Sequence, residues 1–310
     1  MVTQHKNIVV VGSSNTDMIL KTKWIPRPGE TIIGGKFSTA AGGKGANQAV
    51  GAARAGGAVT FIAKVGNDVL GKQAVDGFSK DSINVKYVLK DDKEPSGVAL
   101  IFVADDGENS IGVGSGANAK LSAADVTKLK KVILAGDILL TQLETPLSTV
   151  KAAVSIANKG GVRVILNPAP AVKLGNDILK HVTILTPNET EAEILTGITI
   201  KNESDAQQAA GILQKKGVKI VIITLGSKGA YVYSDEFKGI VESFKVKALD
   251  TTAAGDVFNG ALAVAISEKM PLADAVRFAN AAAAISVTRL GAQPSVPQRK
   301  EIEKLLKAKK

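Results

Sequence analysis

The sequence predicts an α/β protein whose central sheet is mostly parallel and has helices on both faces, with a small second β-sheet placed over it as a lid. Short apolar runs rich in Val, Ile and Leu alternate along the chain with helical patterns. The runs are continuous, as in strands buried on both faces, which is typical of a parallel sheet between two helix layers. Two segments, 17–39 and 96–113, are instead turn-rich and β-like.

The predicted elements follow one another over the whole chain. Strands are predicted at 8–11, 59–65, 98–103, 138–143, 162–166, 182–185 and 218–225. Helices are predicted at 46–55, 69–81, 123–133, 147–158, 189–195, 205–216, 257–268, 272–288 and 298–307. An alternating stretch at 241–246 predicts one more strand. Ligands of such sheets bind beyond the carboxyl ends of the strands, so we expect the site at that edge.

The domain organisation follows from what interrupts this pattern. No internal repeat or low-complexity linker is present, which indicates a single α/β domain over residues 1–310. Within it, segments 17–39 and 96–113 are expected to pair into the small sheet and cover the site. The alternative is that each segment forms an independent surface hairpin.

Composition excludes several kinds of site. The 310 residues include no Cys, which excludes disulfides, thiolate nucleophiles and Cys-based metal centres. The two histidines, His5 and His181, lie away from the Gly-rich segments, which argues against a His-based triad or zinc site. Acid–base chemistry must therefore rely on carboxylates, Lys or Tyr.

The net charge of +10 favours an acidic partner. Basic residues are spread along the chain and aromatic residues make up only 4% of it, so no stacking surface for bases is indicated. We expect an acidic small molecule as ligand, and no nucleic acid. No secretion signal is recognised and no apolar run approaches the ~18 residues of a membrane helix, so we expect a soluble, cytoplasmic protein without a membrane partner.

The segment DTTAAGD, at 250–256, precedes a helix rich in small residues. Small residues let the backbone approach a ligand closely, and the first N–H groups of a helix attract anions. A carboxylate at such a place, Asp256, suits proton removal from a hydroxyl that attacks a phosphate. The alternative is that Asp256 caps its own helix. Its position at a helix N-terminus is expected to favour the ionised form, which makes it a weak base.

The segment AGGKGANQ, at 41–48, opens an Ala-rich helix. Its glycines permit close backbone approach, and Asn47 can both donate and accept hydrogen bonds. The phosphate-binding pattern GxxxxGK[ST] is absent from the chain, and the dinucleotide pattern GxGxxG is absent after the first strand. The segment is therefore either a ligand-binding turn or only the geometry of a helix start.

Polar residues follow two predicted strands. Asn15 and Asp17 follow the first strand, and Glu144 follows the strand at 138–143. Because these strand ends meet at one edge of the sheet, the three side chains suit a polyhydroxylated ligand, whose hydroxyls both donate and accept. Each is alternatively a turn or cap residue.

Two later segments have both a structural and a functional interpretation. In TPNETEAEIL, Asn188 and Glu191 have the spacing of a capping box, and they are also an acidic and polar pair suited to Mg2+ held through waters. TLGSKG, at 224–229, is either a hairpin turn or a contact to nucleotide phosphates. Oxygen-rich turns around Asp250 and 286–295 are of the kind that holds a monovalent cation.

Eight segments occur in a fixed order: GSSNTD, AGGKGANQA, QLETP, NPAPA, TPNETEAE, ITLGSKG, DTTAAGDVFNGAL and GAQPSVP. In these the chain resembles the PfkB (ribokinase) family of carbohydrate kinases over essentially its whole length. The resemblance implies a ribokinase-like three-layer sandwich with a β-sheet lid. It also implies transfer of the ATP γ-phosphate to the 5-hydroxyl of D-ribose, with Mg2+, K+ and a homodimer formed through the lid.

The resemblance assigns roles to residues. Asp256 is implied as the base, and the N–H groups of Ala253, Ala254 and Gly255 as an anion hole; many family members have Gly where this chain has Ala253. The sugar residues implied are Asn15, Asp17, Gly43, Lys44, Gly45, Asn47, Glu144 and Asp256. The nucleotide residues implied are Asn188, Glu191, Thr224, Gly226, Ser227, Gly229, Gly255 and Asn280. The potassium residues implied are Asp250, Thr252, Ser286, Arg289, Gly291 and Ser295.

Two other functions stay open at this point. One is a sibling sugar kinase acting on 2-deoxyribose, another pentose or a ketohexose. The other is a non-catalytic sugar-binding regulator on the same scaffold. The presence of Asp256, Asn188 and Glu191 argues against the regulator.

Overall fold

The computed structural model describes residues 7–308. Its strands are β1 (Asn7–Val11), β2 (Asn15–Thr22), β3 (Lys36–Gly42), β4 (Ala58–Gly66), β5 (Val88–Asp91), β6 (Gly97–Ala104), β7 (Asn109–Gly114), β8 (Ile138–Thr141), β9 (Arg163–Leu166), β10 (Ile184–Leu185), β11 (Ile220–Thr224), β12 (Ala230–Tyr233) and β13 (Lys238–Val241). Its helices are α1 (Lys44–Arg54), α2 (Val69–Lys80), α3 (Ala123–Lys128), α4 (Lys130–Leu134), α5 (Leu147–Lys159), α6 (Asn176–Leu179), α7 (Glu189–Thr196), α8 (Glu203–Lys215), α9 (Ala254–Ser267), α10 (Leu272–Ser286) and α11 (Arg299–Ala308).

The central sheet has nine strands in the order β13-β12-β11-β10-β9-β8-β1-β4-β5. All neighbours pair in parallel except β11 with β12 and β12 with β13, which are antiparallel. Alternate strand residues enter two separate cores: Ile8 and Val10 pack with α1, α9 and α10, and Val9 and Val11 with α5 and α8. This confirms the predicted mostly parallel sheet with helices on both faces.

The small sheet has the strand order β3-β2-β6-β7. Strands β2 and β6 pair in parallel along their whole lengths, and β3 and β7 flank them in antiparallel pairs. The two β-like segments therefore form one sheet and are not independent hairpins. The apolar run at 98–103, predicted together with the strands of the central sheet, is part of β6 and lies in the small sheet.

Three predicted elements differ from the structure. The strand predicted over 241–246 is wrong beyond its first residue, since β13 ends at Val241 and no strand forms over 242–246. Phe244 and Val246 would share one face of a strand, but they are 7% and 40% exposed, so the segment has no single buried face. The helix predicted at 123–133 is two helices, α3 and α4, which meet at Leu129. Helix α9 begins at Ala254 and not at 257, so Asp256 lies within its first turn.

Helices α1 and α9 pack unusually closely, through glycine. A Cβ atom on Gly260 would lie 2.6 Å from the backbone nitrogen of Ala52 and 2.6 Å from the carbonyl oxygen of Gln48. Real Cβ atoms do not approach backbone this closely, so only glycine permits the contact. Its consequence is that the start of α9 lies directly against the start of α1.

Among residues 7–308, no helix has both the length and the apolar character required to cross a membrane. His181 lies at the surface, where Nδ1 is 3.2 Å from Oδ1 of Asn158. His5 lies outside the described residues.

We expect Gly260→Ala to destabilise the fold by roughly 1–3 kcal/mol, because the added methyl group forces α1 and α9 apart. The matched control is Gly77→Ala in α2, where a Cβ would meet nothing within 4 Å; it should be neutral or stabilise by up to roughly 1 kcal/mol. Urea unfolding of both variants measures the difference. Equal free energies of unfolding for the two variants would contradict the close contact.

Candidate active site

The site lies at the carboxyl edge of the central sheet, where α1 and α9 begin. The ends of β9, β10 and β11 border one side of a cavity of about 190 Å3, and the turn before α9 borders the other. The cavity is lined by Lys44, Asn167, Ala169, Thr186, Asn188, Glu191, Thr224, Thr251, Ala253, Ala254, Gly255, Asp256 and Asn259.

The turn before α9 presents open N–H groups to this cavity. Ala253 is the N-cap, with φ of 59° in the left-handed region, and no side chain caps the helix. The N–H of Ala254 donates to the carbonyl of Thr251 at 3.2 Å, whereas no hydrogen bond within residues 7–308 engages the N–H groups of Gly255 and Asp256. Such N–H groups at a helix start form a site for an anion. Of the anion-hole residues expected, Ala254 is therefore the least available.

Asp256 does not cap its helix, so that alternative is wrong. Its Oδ1 accepts a hydrogen bond from Nε2 of Gln48 at 3.0 Å, and its Oδ2 accepts one from Nδ2 of Asn47 at 3.1 Å. The carboxylate thus faces α1, and only 6% of the residue is exposed.

The prediction that Asp256 is a weak base is wrong, because it left out the burial of the carboxylate. Desolvation raises the pKa of the Asp256 carboxyl above its usual value, and this effect outweighs the opposing influence of Lys44 and of the two amide donors. Asp256 is therefore a stronger base than its place at a helix start alone would make it.

Four of the expected sugar residues, Asp17, Lys44, Asn47 and Glu144, lie near Asp256. The Oε2 atom of Glu144 accepts the backbone N–H of Lys44 at 2.9 Å and the hydroxyl of Ser13 at 2.5 Å. Burial, and then the charges of Glu144 and Asp256, raise the pKa of Asp17 to about 6. These three carboxylates therefore lie close enough to influence one another across β2, the strand end of β8 and α9.

The glycines of the turn before α1 bring the backbone against β1 and β2. A Cβ on Gly43, whose φ is 88°, would lie 2.7 Å from the nitrogen of Asn15, and a Cβ on Gly45 would lie 2.4 Å from the nitrogen of Ser13. The segment AGGKGANQ is thus a close-approach turn and also the start of a helix. It places Gly43 against Asn15 and Gly45 against Ser13.

Asn188 and Glu191 form the predicted capping box. Oδ1 of Asn188 accepts the Glu191 N–H at 2.7 Å, and Oε2 of Glu191 accepts the Asn188 N–H at 2.8 Å. Both residues also line the cavity, together with Thr224, whose N–H donates to the Pro187 carbonyl. Burial raises the pKa of Glu191, against the opposing effect of the Asn188 N–H.

Four of the other expected nucleotide residues, Gly226, Ser227, Gly229 and Asn280, do not line this cavity, whereas Gly255 does. TLGSKG forms the hairpin turn between β11 and β12, and its Gly226 and Ser227 are exposed, while Gly229 is buried. Nδ2 of Asn280 donates to the carbonyls of Val241 and Glu242, at 2.9 and 3.2 Å. Asn280 therefore holds the segment after β13.

The expected potassium residues lie on two adjacent turns. Asp250 accepts the N–H groups of Thr252 and Gly291 on its two carboxylate oxygens, at 2.9 and 2.8 Å. The hydroxyls of Ser286 and Ser295 are buried and donate to backbone carbonyls within their own turns. Arg289 pairs with Glu301, so its guanidinium is engaged elsewhere. Within 7–308 no cluster of three or more acidic or His side chains could hold a metal ion, so a cation here would rely on carbonyl and hydroxyl oxygens.

Sequence reasoning missed a buried group of polar side chains. The residue immediately after each of β8, β9 and β10 is polar and at most 7% exposed; these residues are Gln142, Asn167 and Thr186. They connect Gln48 of α1 to Asn259 of α9 by hydrogen bonds. The available signal was a polar residue at the carboxyl end of each of three consecutive apolar strands.

A model of the pfkB family of carbohydrate kinases matches residues 5–299. The chain belongs to this family. The kinase is 47% identical over 297 residues to a ribokinase of Haemophilus influenzae, covering 96% of this chain and 97% of that protein. It is 37% identical to a deoxyribokinase of Salmonella typhi, covering 97% of this chain and 98% of that protein. It also matches the structure of Arabidopsis thaliana ribokinase complexed with ribose and ATP, with a TM-score of 0.91, 35% identity and coverage of 98% and 99%.

These likenesses confirm the family resemblance and the three-layer fold of the kinase. They extend over nearly the full length of each chain, so no large part of the fold is unique to this kinase.

We expect Asp17→Asn to raise the melting temperature of the free kinase by roughly 1–3 °C at pH 8, with a smaller gain at pH 5. The pKa of Asp17 in the folded protein is about 6, above its usual 3.8, so its stabilising contribution is present below pH 4 and is lost as the pH rises through 6. Asn does not ionise and avoids this loss. Thermal denaturation at both pH values measures the effect.

The control for this pH dependence is Asp76→Asn, on the exposed face of α2. It is expected to leave the difference in melting temperature between pH 5 and pH 8 as in the unmodified kinase. A pH-independent gain in Asp17→Asn would contradict a raised pKa at that position.

Proposed function

We propose that this kinase transfers the γ-phosphoryl group of ATP to the 5-hydroxyl of D-ribose, giving ribose 5-phosphate and ADP. The observation behind the proposal is the position of Asp256. It lies between the polar residues of β2, β8 and α1 on one side and the open N–H groups of α9 on the other. The similarity to ribokinases, one of them with ribose and ATP, supports ribose as the sugar.

Asp256 acts as the base in this reaction. The proton of the 5-hydroxyl passes to its carboxylate while the bond from O5 to the γ-phosphorus forms. The bond from that phosphorus to the β,γ-bridging oxygen breaks, and its electron pair leaves with ADP. Phosphoryl transfer depends mainly on positioning and charge stabilisation, so the N–H groups of Ala253, Gly255 and Asp256 itself face the transferred group.

The sugar lies among side chains that can each fix one hydroxyl. Carboxylates accept hydrogen bonds from hydroxyls, and amides and Lys donate to them. The residues proposed for this role are Asn15, Asp17, Gly43, Lys44, Gly45, Asn47 and Glu144. Their arrangement would hold O5 against Asp256 and fix the rest of the ring.

The nucleotide lies on the side of β11 and α10. Its phosphates reach the cavity through Thr224 and the α9 turn, and its remaining part lies along Gly226, Ser227, Gly229 and Asn280. Asn188 and Glu191 fit Mg2+, because Glu191 is a carboxylate at the cavity whose hydrogen bonds within the described residues use only Oε2. Mg2+ would supply positive charge to the phosphates, and the two residues would hold it largely through water.

The turns of Asp250 and Gly291 fit K+, since Thr252, Ser286 and Ser295 add hydroxyl and carbonyl oxygens around them. Arg289 contributes only its backbone. The cation would act by holding the turn that leads to Ala253, without touching the substrates. Equal rates in K+, Na+ and choline would contradict this site.

The small sheet acts as the lid and as a dimer interface. By register, Met18, Leu20, Phe37, Leu100 and Phe102 share its outer face, and Phe37 and Leu100 are 62% and 52% exposed. An exposed apolar face of this kind suits a second copy of the chain. A monomer in sedimentation equilibrium would contradict it.

Because the reaction consumes ATP, we place the enzyme in the cytoplasm.

Asp256→Asn is expected to lower kcat on the order of 10²–10⁴-fold, the range for loss of a general base, while ribose binding stays largely intact. Steady-state kinetics and calorimetric titration with ribose measure the two quantities. Asp274→Asn, on the exposed side of α10, is the matched control. A rate near that of the unmodified kinase would remove Asp256 from this role.

The substrate assignment is tested by comparing kcat/KM for ribose, 2-deoxyribose, fructose and adenosine, with ATP, Mg2+ and K+ present. We expect ribose to be the best substrate. The second candidate is 2-deoxyribose, favoured by the similarity to a deoxyribokinase. A higher kcat/KM for any sugar other than ribose would replace the assignment.

ADP release distinguishes a kinase from a binding protein in the same assay. Ribose binding without ADP release would support a non-catalytic regulator. Release of ADP without sugar would indicate only ATP hydrolysis.

A further inference from the structure

We propose that Gln48, held by Gln142 and Asn167, is a positioning residue that fixes the carboxylate of Asp256. Nε2 of Gln48 donates to Oδ1 of Asp256 at 3.0 Å and to Oδ1 of Asn167 at 3.0 Å. Oε1 of Gln48 accepts a hydrogen bond from Nε2 of Gln142 at 2.5 Å. The proposal rests on the role of Asp256 as the base.

The direction of this chain of amides is set by the backbone. Nδ2 of Asn167 donates to the carbonyl oxygen of Thr186 at 3.1 Å. A carbonyl can only accept, so the amide of Asn167 must turn its oxygen towards Gln48. Gln48 must therefore present its nitrogen to both Asn167 and Asp256.

A reversed Gln48 amide would place an oxygen against two other oxygens. Its Oε1 atom would then face the carboxylate of Asp256 and the carbonyl oxygen of Asn167, and both donors would be lost. In the observed orientation Nε2 of Gln142 donates to Oε1 of Gln48, whereas Oε1 of Gln142 is buried and has no hydrogen-bond partner among the described residues. Asn167 and Asp256 thus set Gln48 in the one orientation that donates to Asp256, and Gln142 completes the hydrogen bonding of its amide.

Because these amides are buried, losing their hydrogen bonds would cost free energy. Gln48 is 0% exposed and Gln142 is 1% exposed. Buried amides destabilise a fold unless they are hydrogen-bonded, so a packing role alone would be met better by apolar side chains of the same size. The polar atoms of Gln48 all lead to Asp256 or to groups that orient Gln48.

The carboxylate is held from both sides, because Asn47 donates to Oδ2 as Gln48 donates to Oδ1. Asn47 is an expected sugar residue, whereas Gln48 points away from the sugar side and into the core. Gln48 therefore acts through Asp256 alone. By donating to the ionised carboxylate, it also opposes the effect of burial on the pKa of Asp256.

Other charged groups face the same carboxylate. Lys44 of α1 lowers its pKa, and Glu144, after β8, raises it. Asp17 of β2 and Glu191 of α7 are influenced by the Asp256 charge in turn. A change at Gln48 leaves all four of these in place, so its effect on the pH profile is separable from theirs.

The first experiment compares Gln48→Met, which removes the amide at similar length, with the unmodified kinase. We expect kcat to fall about 10- to 100-fold, the loss that follows from removing a hydrogen bond to a charged group. KM for ribose and for ATP should change little. The acid limb of the kcat–pH profile should move to higher pH, because the protonated carboxyl is no longer disfavoured by Gln48.

Gln214→Met is the matched control. Gln214 also donates an amide hydrogen bond to a carboxylate, that of Asp235 at 3.3 Å, on α8 at the surface. It should leave kcat and the acid limb unchanged. A residue of purely structural importance would lower the melting temperature and leave the acid limb where it is.

The second experiment combines Gln48→Met with Asp256→Asn. If Gln48 acts only through the Asp256 carboxylate, the double variant loses no more rate than Asp256→Asn alone. Losses that multiply would overturn the proposal. An unmoved acid limb in Gln48→Met would do the same.

A readout without turnover separates this proposal from the proposed reaction. The 13C signal of the Asp256 carboxyl, assigned by its absence from Asp256→Asn, reports its pKa directly. An upward shift in Gln48→Met supports the positioning role even for an enzyme whose best substrate is not ribose, and no shift overturns it. Should Gln48→Met fail to fold, Gln142→Met provides the same test, with the same directions and smaller changes.

Discussion

The structure depends on the close contact between helices α1 and α9. Gly260 lets the backbones approach to a distance that no side chain would permit. This contact places Asn47 and Gln48 within hydrogen-bonding distance of Asp256. A small increase in the separation of the two helices would lengthen both hydrogen bonds and leave a buried carboxylate without donors, which is costly. The packing of the fold and the chemistry of the site therefore share one constraint.

Carboxylates crowd the site, and burial dominates their behaviour. Asp17, Glu191 and Asp256 all have a raised pKa, and in each case the largest cause is loss of water. Mutual repulsion adds to it for Asp17. Groups of this kind are stabilised by a ligand that brings hydroxyl donors or positive charge. Keeping these three carboxylates ionised therefore costs free energy unless such a ligand supplies donors or positive charge.

Much of the fold could be predicted from the sequence, because buried parallel strands are continuous apolar runs and the site lies where they end. Asn15, Asp17 and Glu144 were predicted at that edge in this way, and the structure brings Asp17 and Glu144 close to Asp256. The capping interpretation of Asp256 failed because local preference favours a cap, whereas Gln48, 208 residues away in the sequence, determines where the carboxylate points. Gln142 and Asn167 were missed as well, since only the folded chain shows that three buried amides meet. The alternation at 241–246 was misleading because Phe244 is buried in the core although the segment after Val241 pairs with no strand among the described residues.

The parallel pairing of β2 with β6 joins the β2–β3 pair to the β6–β7 pair, so that the small sheet is one continuous plate of four strands. Asn118, just beyond β7, anchors the base of this plate, donating to the Ser14 carbonyl and to Oδ1 of Asn15 while accepting the Ser14 N–H. Under the proposed function the small sheet is a lid, and Asn15 and Asp17, as residues of β2, would move with it. The apparent affinity for sugar would then include the free energy of lid closure, because it depends on the fraction of molecules in the closed state. Substitutions at the anchor would change affinity without touching the sugar.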